Sequence, residues 1–217
     1  MGVKLYCTDW SPAVRAAMIA CEIFNVPYEK IELDLYKFDH LKPEYLKKNP
    51  LHTIPFLEDG EFTLFDSAAI IMYLADTYGK DDSWYPKDVK KRAQVNQKLF
   101  FNTSILFPRT RGTTYPIMAE GNKIIPQNRL DDLAEAFGFI EEFLSRTTYL
   151  AADHITIADI AAFTTVTAME IFTPIDPEKL PKTHAWVTQL KQTPYAKKHN
   201  EPGVAWLTKI IKTGLEA

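Results

Sequence analysis

The chain has 217 residues, 46% hydrophobic and 24% charged, a balance that builds a folded core and excludes a disordered protein. A formal net charge of −3 with no dense Lys/Arg run leaves no footprint for phosphate backbones, so nucleic acid is not an expected partner. No stretch has the apolar length to cross a bilayer, and two cysteines, Cys7 and Cys21, make neither a disulfide framework nor a CxxC pair, which fits a reducing cytoplasm.

The opening "MGVKLYCTDW" lacks the apolar core of a signal peptide, and Tyr6 stands where a myristoylation pattern needs Ser or Thr. It reads as a strand over "VKLYCT", followed by a helix over 12–25 and a second strand, "YEKIELDL", at 28–35. "KPEYLKKN" at 42–49 reads as a short helix. "TIPFLED", Gly60 and "FTLF" then read as two short strands around a tight turn. "DSAAIIMYLADTYG" is an amphipathic helix closed by Gly79. The sum is βαβ followed by ββα, a four-stranded mixed sheet with helices packed on it.

"DDSWYPKD" at 81–88 is polar and turn-prone and reads as a linker between a domain of residues 1–80 and one of residues 89–217. Beyond it the periodicity is helical, at about 89–118, 126–146, 156–171, 183–193 and 204–214. Thr156 and Asp159 in "TIAD" form a capping box at the head of a core helix. Pro116 and Gly112 lie inside the first of these helices. They predict a kink or break there that splays Tyr115 and Met118 away from Arg111.

The chemistry gathers in the first domain. Ser11 in "YCTDWSPAVR" stands where a strand runs into a helix opened by Pro12, as a cap, a nucleophile or a hydroxyl that manages bound charge. Pro55 heads an edge strand. A cis Ile54-Pro55 bond would turn the backbone groups of Ile54 outward toward an extended ligand, while a trans bond would leave an ordinary strand start. In "FDSAAI", Asp66 and Ser67 are either a plain helix cap or a site for an α-amino-acid end. In the second case Ser67 and the first helix N–H groups take the carboxylate and Asp66 takes the ammonium. His40 and His52 could each donate to a second carboxylate, or be solvated surface; neither has metal-ligand spacing.

A ligand with an amino-acid head, a peptide body and a second carboxylate has the form of glutathione, with its thiol in the middle. Through "SPAVR", "NPLHTIPFLEDG", "DSAAI", "YLADTYGKDDSWYPKD" and "TIADI", the chain resembles the cytosolic glutathione transferases of the insect delta and epsilon classes over essentially its full length. The resemblance implies a thioredoxin-like N-terminal domain and an all-helical C-terminal domain, with glutathione as co-substrate, no metal and a homodimer through helices 67–78 and 89–102. It implies that Ser11 is the catalytic hydroxyl, donating to the glutathione thiolate. Ile54, Pro55, Asp66 and Ser67 would hold the peptide and γ-glutamyl end, His52 and His40 the glycine end, with Arg111 also reaching glutathione. The electrophile would lie between the domains against Phe107, Arg111, Tyr115 and Met118, which share one helical face, with Trp10, Leu35 and Trp206 as further walls. A stripe at that spacing is by default core, and Arg111 argues against the default. Ala68 stands where some relatives carry Arg or His, and Ala13 where "SPP" is commoner.

The implied activity is attack of the thiolate on small hydrophobic electrophiles, in detoxification, or on lipid peroxides. The rival is a non-catalytic glutathione-binding or hydrophobic-ligand-binding protein, or a structural one, on the same fold. Thiol-disulfide exchange is disfavoured because Ser11 stands where that chemistry needs a cysteine.

Overall fold

The computed structural model describes residues 2–216. Strand β1 (Val3–Cys7) pairs in parallel with β2 (Tyr28–Glu32) and antiparallel with β3 (Phe56–Asp59), which pairs antiparallel with β4 (Phe62–Phe65), giving the order β2-β1-β3-β4. Gly60, at φ +63°, supplies the left-handed residue of the tight β3–β4 turn. Alternation along β1 splits its side chains between two covered faces. Val3, Leu5 and Cys7 pack under helices α1 (Pro12–Ile23) and α3 (Ser67–Tyr78), while Tyr6 packs on the other face against Phe56 and Tyr45 of the short helix α2 (Pro43–Leu46).

The helical part begins at α4 (Val89–Phe101), capped by Asp88, and continues through α5 (Phe107–Glu120), α6 (Gln127–Leu144), α7 (Ile157–Met169), α8 (Pro181–Lys191) and α9 (Glu201–Glu216). Every residue of α7 is buried, the pattern of a helix apolar all round and central to its bundle. Its capping box forms as the sequence predicts: Thr156 N–H donates to Asp159 Oδ2 at 2.8 Å. The same carboxylate also accepts from Leu150 N–H at 2.9 Å and Trp186 Nε1 at 3.1 Å, so it ties three segments together. One apolar core runs from the sheet through α1 and α3 into Val95, Leu99, Ala158 and Ala161 of the helical part. Residues 81–88 lie against it: Trp84 stacks edge-on to Phe24 at 6.3 Å, and Tyr85 is buried.

Several expectations change. Pro55 does not head an edge strand: β3 lies between β1 and β4, and Pro55 precedes its first paired residue, Phe56, so its missing N–H costs the ladder nothing. The second strand stops at Glu32, and the helix expected over 42–49 is a single turn, Pro43–Leu46. The helix expected over 89–118 contains a π turn at Asn102–Leu106, and a second π turn, Ala196–Asn200, precedes α9. Each ends two residues before a proline, Pro108 and Pro202, whose ring crowds the carbonyl four residues back and whose missing N–H opens the turn.

The break expected between Gly112 and Pro116 does not occur, since α5 is continuous to Glu120. Thr110 and Thr113 hydroxyls bond back to the carbonyls of Leu106 and Arg109 at 2.8 and 3.0 Å, and Ile117 is anchored in a buried cluster with Leu207 and Ile211 of α9. Packing on both sides of the proline holds the helix through it. Tyr115 is accordingly not splayed from Arg111: the guanidinium lies 4.4 Å from the tyrosine ring centroid.

Candidate functional site

The register gathers the sequence-predicted groups at one end of the sheet. Tyr6 pairs with Phe56, and Phe56 with Phe65. Ser11 follows the end of β1, Ile54 and Pro55 precede the start of β3, and Asp66 and Ser67 follow the end of β4. All three leave the sheet at the same edge. Cys7 pairs with Glu32, so the loop from Leu35 to His40 leaves β2 there too.

Ser11 is the N-cap of α1, with extended backbone (φ −73°, ψ 122°) and Pro12 at the first helical position. Its Oγ accepts from Val14 N–H at 3.5 Å, a long bond, and the residue is only 6% exposed. The hydroxyl proton finds no acceptor among the described residues, so the oxygen caps the helix while its hydrogen stays free to donate.

Asp66 caps α3, Oδ1 accepting from Ala68 N–H at 2.8 Å and Ala69 N–H at 3.2 Å, from backbone at φ +72°. Asp66 is exposed beside Ser67 and the helix start, and its second carboxylate oxygen makes no hydrogen bond among the described residues, so the cap leaves one oxygen available. Ile54-Pro55 is cis. Among the described residues, the N–H and C=O of Ile54 find no hydrogen-bond partner.

Two residues that sequence reasoning missed hold this loop. Fully buried Asn49 donates to Thr53 O at 2.9 Å and accepts from Leu51 N–H at 3.1 Å, and Tyr45 Oη donates to Thr53 O at 2.6 Å. The asparagine directly before Pro50 in "NPLHTIPF" was the available signal. His52, at φ +47°, is exposed with its ring centroid 6.1 Å from that of His40. Burial, reinforced by His52, pulls the His40 pKa below its ordinary value, favouring the neutral ring, and His40 Nδ1 has no partner among the described residues. No group of three potential metal ligands occurs among the described residues.

The second-substrate residues are gathered less completely. Trp10, the residue before Ser11, packs with Met118 against Ile117, Ala168, Leu207 and Ile211, so an apolar cluster from α5, α7 and α9 begins one residue from the hydroxyl. Arg111 and Tyr115 are exposed and stacked on one another, Phe107 and Leu35 are half-buried, and neither belongs to that cluster. Trp206 is 58% exposed and lies outside it as well. Two cavities lie elsewhere, one of about 650 Å³ between α7, α8 and α9 and one of about 250 Å³ lined by Tyr6, Tyr45 and Lys48. Neither includes Ser11 or Asp66.

Comparison with known proteins shows the family and the fold. Residues 5–82 match the family "Glutathione S-transferase, N-terminal domain" and residues 68–194 match "Glutathione S-transferase, C-terminal domain". The chain is 40% identical over 205 residues to glutathione S-transferase 1 of Manduca sexta, covering 94% of both. An epsilon-class glutathione S-transferase from the housefly Musca domestica superposes with a TM-score of 0.95 at 41% identity, covering 98% of each chain. A glutathione transferase homologue from Drosophila mojavensis with bound glutathione gives a TM-score of 0.95 at 38% identity, covering 98% of this chain and 97% of that one.

Proposed function

The chain belongs to the glutathione S-transferase family and is a transferase that uses glutathione as co-substrate, and from that premise we propose that Ser11 activates the thiol for attack on small hydrophobic electrophiles. A free thiol has a pKa of about 8.5, so at neutral pH most of it is protonated. The free hydroxyl hydrogen of Ser11, at the N-terminus of α1, stabilises the thiolate and lowers that value. The thiolate then forms a bond to the electrophilic carbon, whose leaving group departs or whose double bond takes the electron pair. Proximity supplies the rest of the acceleration. Lipid peroxides are a second substrate class.

The observation that carries this reading is the shared sheet edge of Ser11, Ile54-Pro55 and Asp66-Ser67. Asp66, through its free carboxylate oxygen, takes the γ-glutamyl ammonium. Ser67 and the first N–H groups of α3 take the adjacent carboxylate, and Ile54 pairs with the peptide backbone. His52 and neutral His40 face the glycine carboxylate, and Arg111, with Tyr115 stacked beneath it, meets polar tips of either substrate. Trp10 and Met118 line the electrophile side, with Phe107, Leu35 and Trp206 at its margin.

The division into a glutathione domain (1–80), a linker (81–88) and an electrophile-bearing domain (89–217) follows the same logic. A homodimer through α3 and α4 is supported by exposed Phe62 and Phe65 on β4 and Val89 and Phe100 on α4. A cytoplasmic location is supported by two buried free thiols. No helix among the described residues is long and apolar enough to cross a membrane.

The test is conjugation of glutathione to aromatic halides and isothiocyanates, and glutathione-dependent reduction of lipid peroxides, beside calorimetry of glutathione binding and light scattering. Turnover of several electrophiles by a dimer is expected. Tight glutathione binding with no turnover of any electrophile would overturn the proposed substrate class, and a monomer the proposed assembly.

A further inference from the structure

Arg15 is the largest fully buried side chain among the described residues, at 0% exposure. It sits one helical turn beyond Ser11, its N–H donating to Ser11 O at 3.0 Å. Its side chain leaves the sheet domain altogether. Nη1 donates to Asn200 Oδ1 at 2.7 Å and to Asn200 O at 3.2 Å, and Nη2 donates to Thr164 O of α7 at 3.2 Å. Every acceptor is neutral. No carboxylate bonds or pairs with the guanidinium among the described residues, and Arg15 Nε finds no partner there. Burial pulls the guanidinium pKa down to about 9. A buried cation without a counter-ion is costly, and an apolar chain of equal volume would fill the space without that cost.

What Arg15 adds over an apolar chain is direction. The π turn Ala196–Asn200 presents both the carbonyl and the amide of Asn200, and Asn200 Nδ2 also donates to Thr167 Oγ1 of α7 at 3.1 Å. Three residues on, a Cβ at Gly203 would lie 2.5 Å from Arg15 Cδ and would also collide with the carbonyl of Asp9. The first turn of α9 therefore rests on backbone two residues before Ser11 and on the side chain four residues after it. From there α9 carries Leu207 and Ile211 into the cluster with Trp10 and Met118. Helix α1 is held on the sheet independently, by Val14, Ala17 and Met18 in the core with Leu5 and Leu57.

We propose that Arg15 is a positioning residue which, with Asn200 and Gly203, latches α9 to the Ser11 helix and so sets the fit of the electrophile without acting on the thiol. The inference rests on the electrophile side lying at the Trp10–Met118 cluster. Cutting the latch frees α9 while leaving Ser11 and the glutathione contacts on their own elements.

The experiment compares wild type, Arg15→Met, Arg15→Lys and Asn200→Ala by KM and kcat for glutathione and for a small and a bulky electrophile of one reaction type. Thermal melts and titration of the bound thiol accompany the kinetics. The latch predicts that Arg15→Met and Asn200→Ala raise the electrophile KM on the order of tenfold and change the bulky-to-small ratio. The glutathione KM and the pKa of the bound thiol stay unmoved, and Arg15→Lys, which keeps one cationic donor for Asn200, recovers part of the effect. Lowered melting temperature and uniformly lowered kcat with both KM values and the size ratio intact would overturn it, and so would a shift of the bound thiol. If Arg15→Met does not fold, the KM split in Asn200→Ala decides alone. A failure of the Ser11 role appears separately, as an unmoved thiol pKa in Ser11→Ala.

Discussion

The proposed glutathione side and the proposed electrophile side of this enzyme are built by different means. On the first, each group lies within a few residues of a strand end and is oriented by a local device: Ser11 and Asp66 by their caps, Ile54 by Pro55, and its loop by Asn49. On the second, Trp10, Met118, Leu207 and Ile211 meet only because α5, α7 and α9 pack together, while Arg111 and Tyr115 orient one another in the open. A side made of local devices concentrates its free energy in single polar atoms. A side made of packing spreads it over many apolar contacts, each worth ~1–3 kcal/mol per methylene in discrimination. Substitutions on the two sides should therefore differ in size and in the constant they move.

The largest effect is expected at Ser11. Ser11→Ala removes a charge-assisted donor worth about 1.5–3 kcal/mol, which is roughly ten- to hundredfold in rate at neutral pH, with glutathione affinity nearly kept. Steady-state kinetics against pH read it, and an unchanged profile would remove the main polar device from this side. Next comes Asp66. Asp66→Asn keeps an N-cap oxygen but not the charge, and should raise the glutathione KM on the order of tenfold with little change in melting temperature. Asp66→Ala should add the loss of a cap, about 1 kcal/mol of stability. Equal rises in both substrates' KM would show that the two sides are not separable.

Smaller still is the double variant Gly112→Ala with Pro116→Ala. Because α5 is already continuous, electrophile preference should hold within about twofold, while stability rises from better helix formers. A large change of preference would show that the proline shapes the open side after all. The smallest effect on turnover is expected at Glu141, which belongs to neither side and caps α8 through Lys182 N–H at 3.0 Å and Thr183 N–H at 2.7 Å. Partial burial pushes its carboxyl up, but the bonds from Thr183 and Lys182 outweigh burial and hold it below the usual range. The folded pKa thus lies below the unfolded one. Its contribution is present above the unfolded value and is lost as pH falls through the folded value. Acid melts should show wild type losing more stability than Glu141→Gln, with both KM values equal in the two proteins.

Legibility in the sequence followed the same division. The order and type of the strands, the capping box at Thr156 and the cluster at the sheet edge were readable because strand periodicity, caps and Pro55 act within a few residues. The Gly112–Pro116 region misled because propensity there is overridden by packing around Ile117, and the true irregularities lie before Pro108 and Pro202. Arg15 was not legible at all. A cation in an amphipathic helix reads as a solvent-facing residue, and the partner that buries it is 185 residues away in sequence. The nearness of His40 to His52 came only through the family resemblance, since a loop conformation and not a periodicity brings the rings together.

The measurement that tests the central claim most directly is titration of the thiol of glutathione bound to wild type and to Ser11→Ala, followed by thiolate absorbance, with binding measured in parallel. In wild type the bound thiol should ionise well below the ~8.5 of a free thiol, and in Ser11→Ala its pKa should return toward that value while glutathione still binds. The same depressed pKa in both proteins would contradict the account.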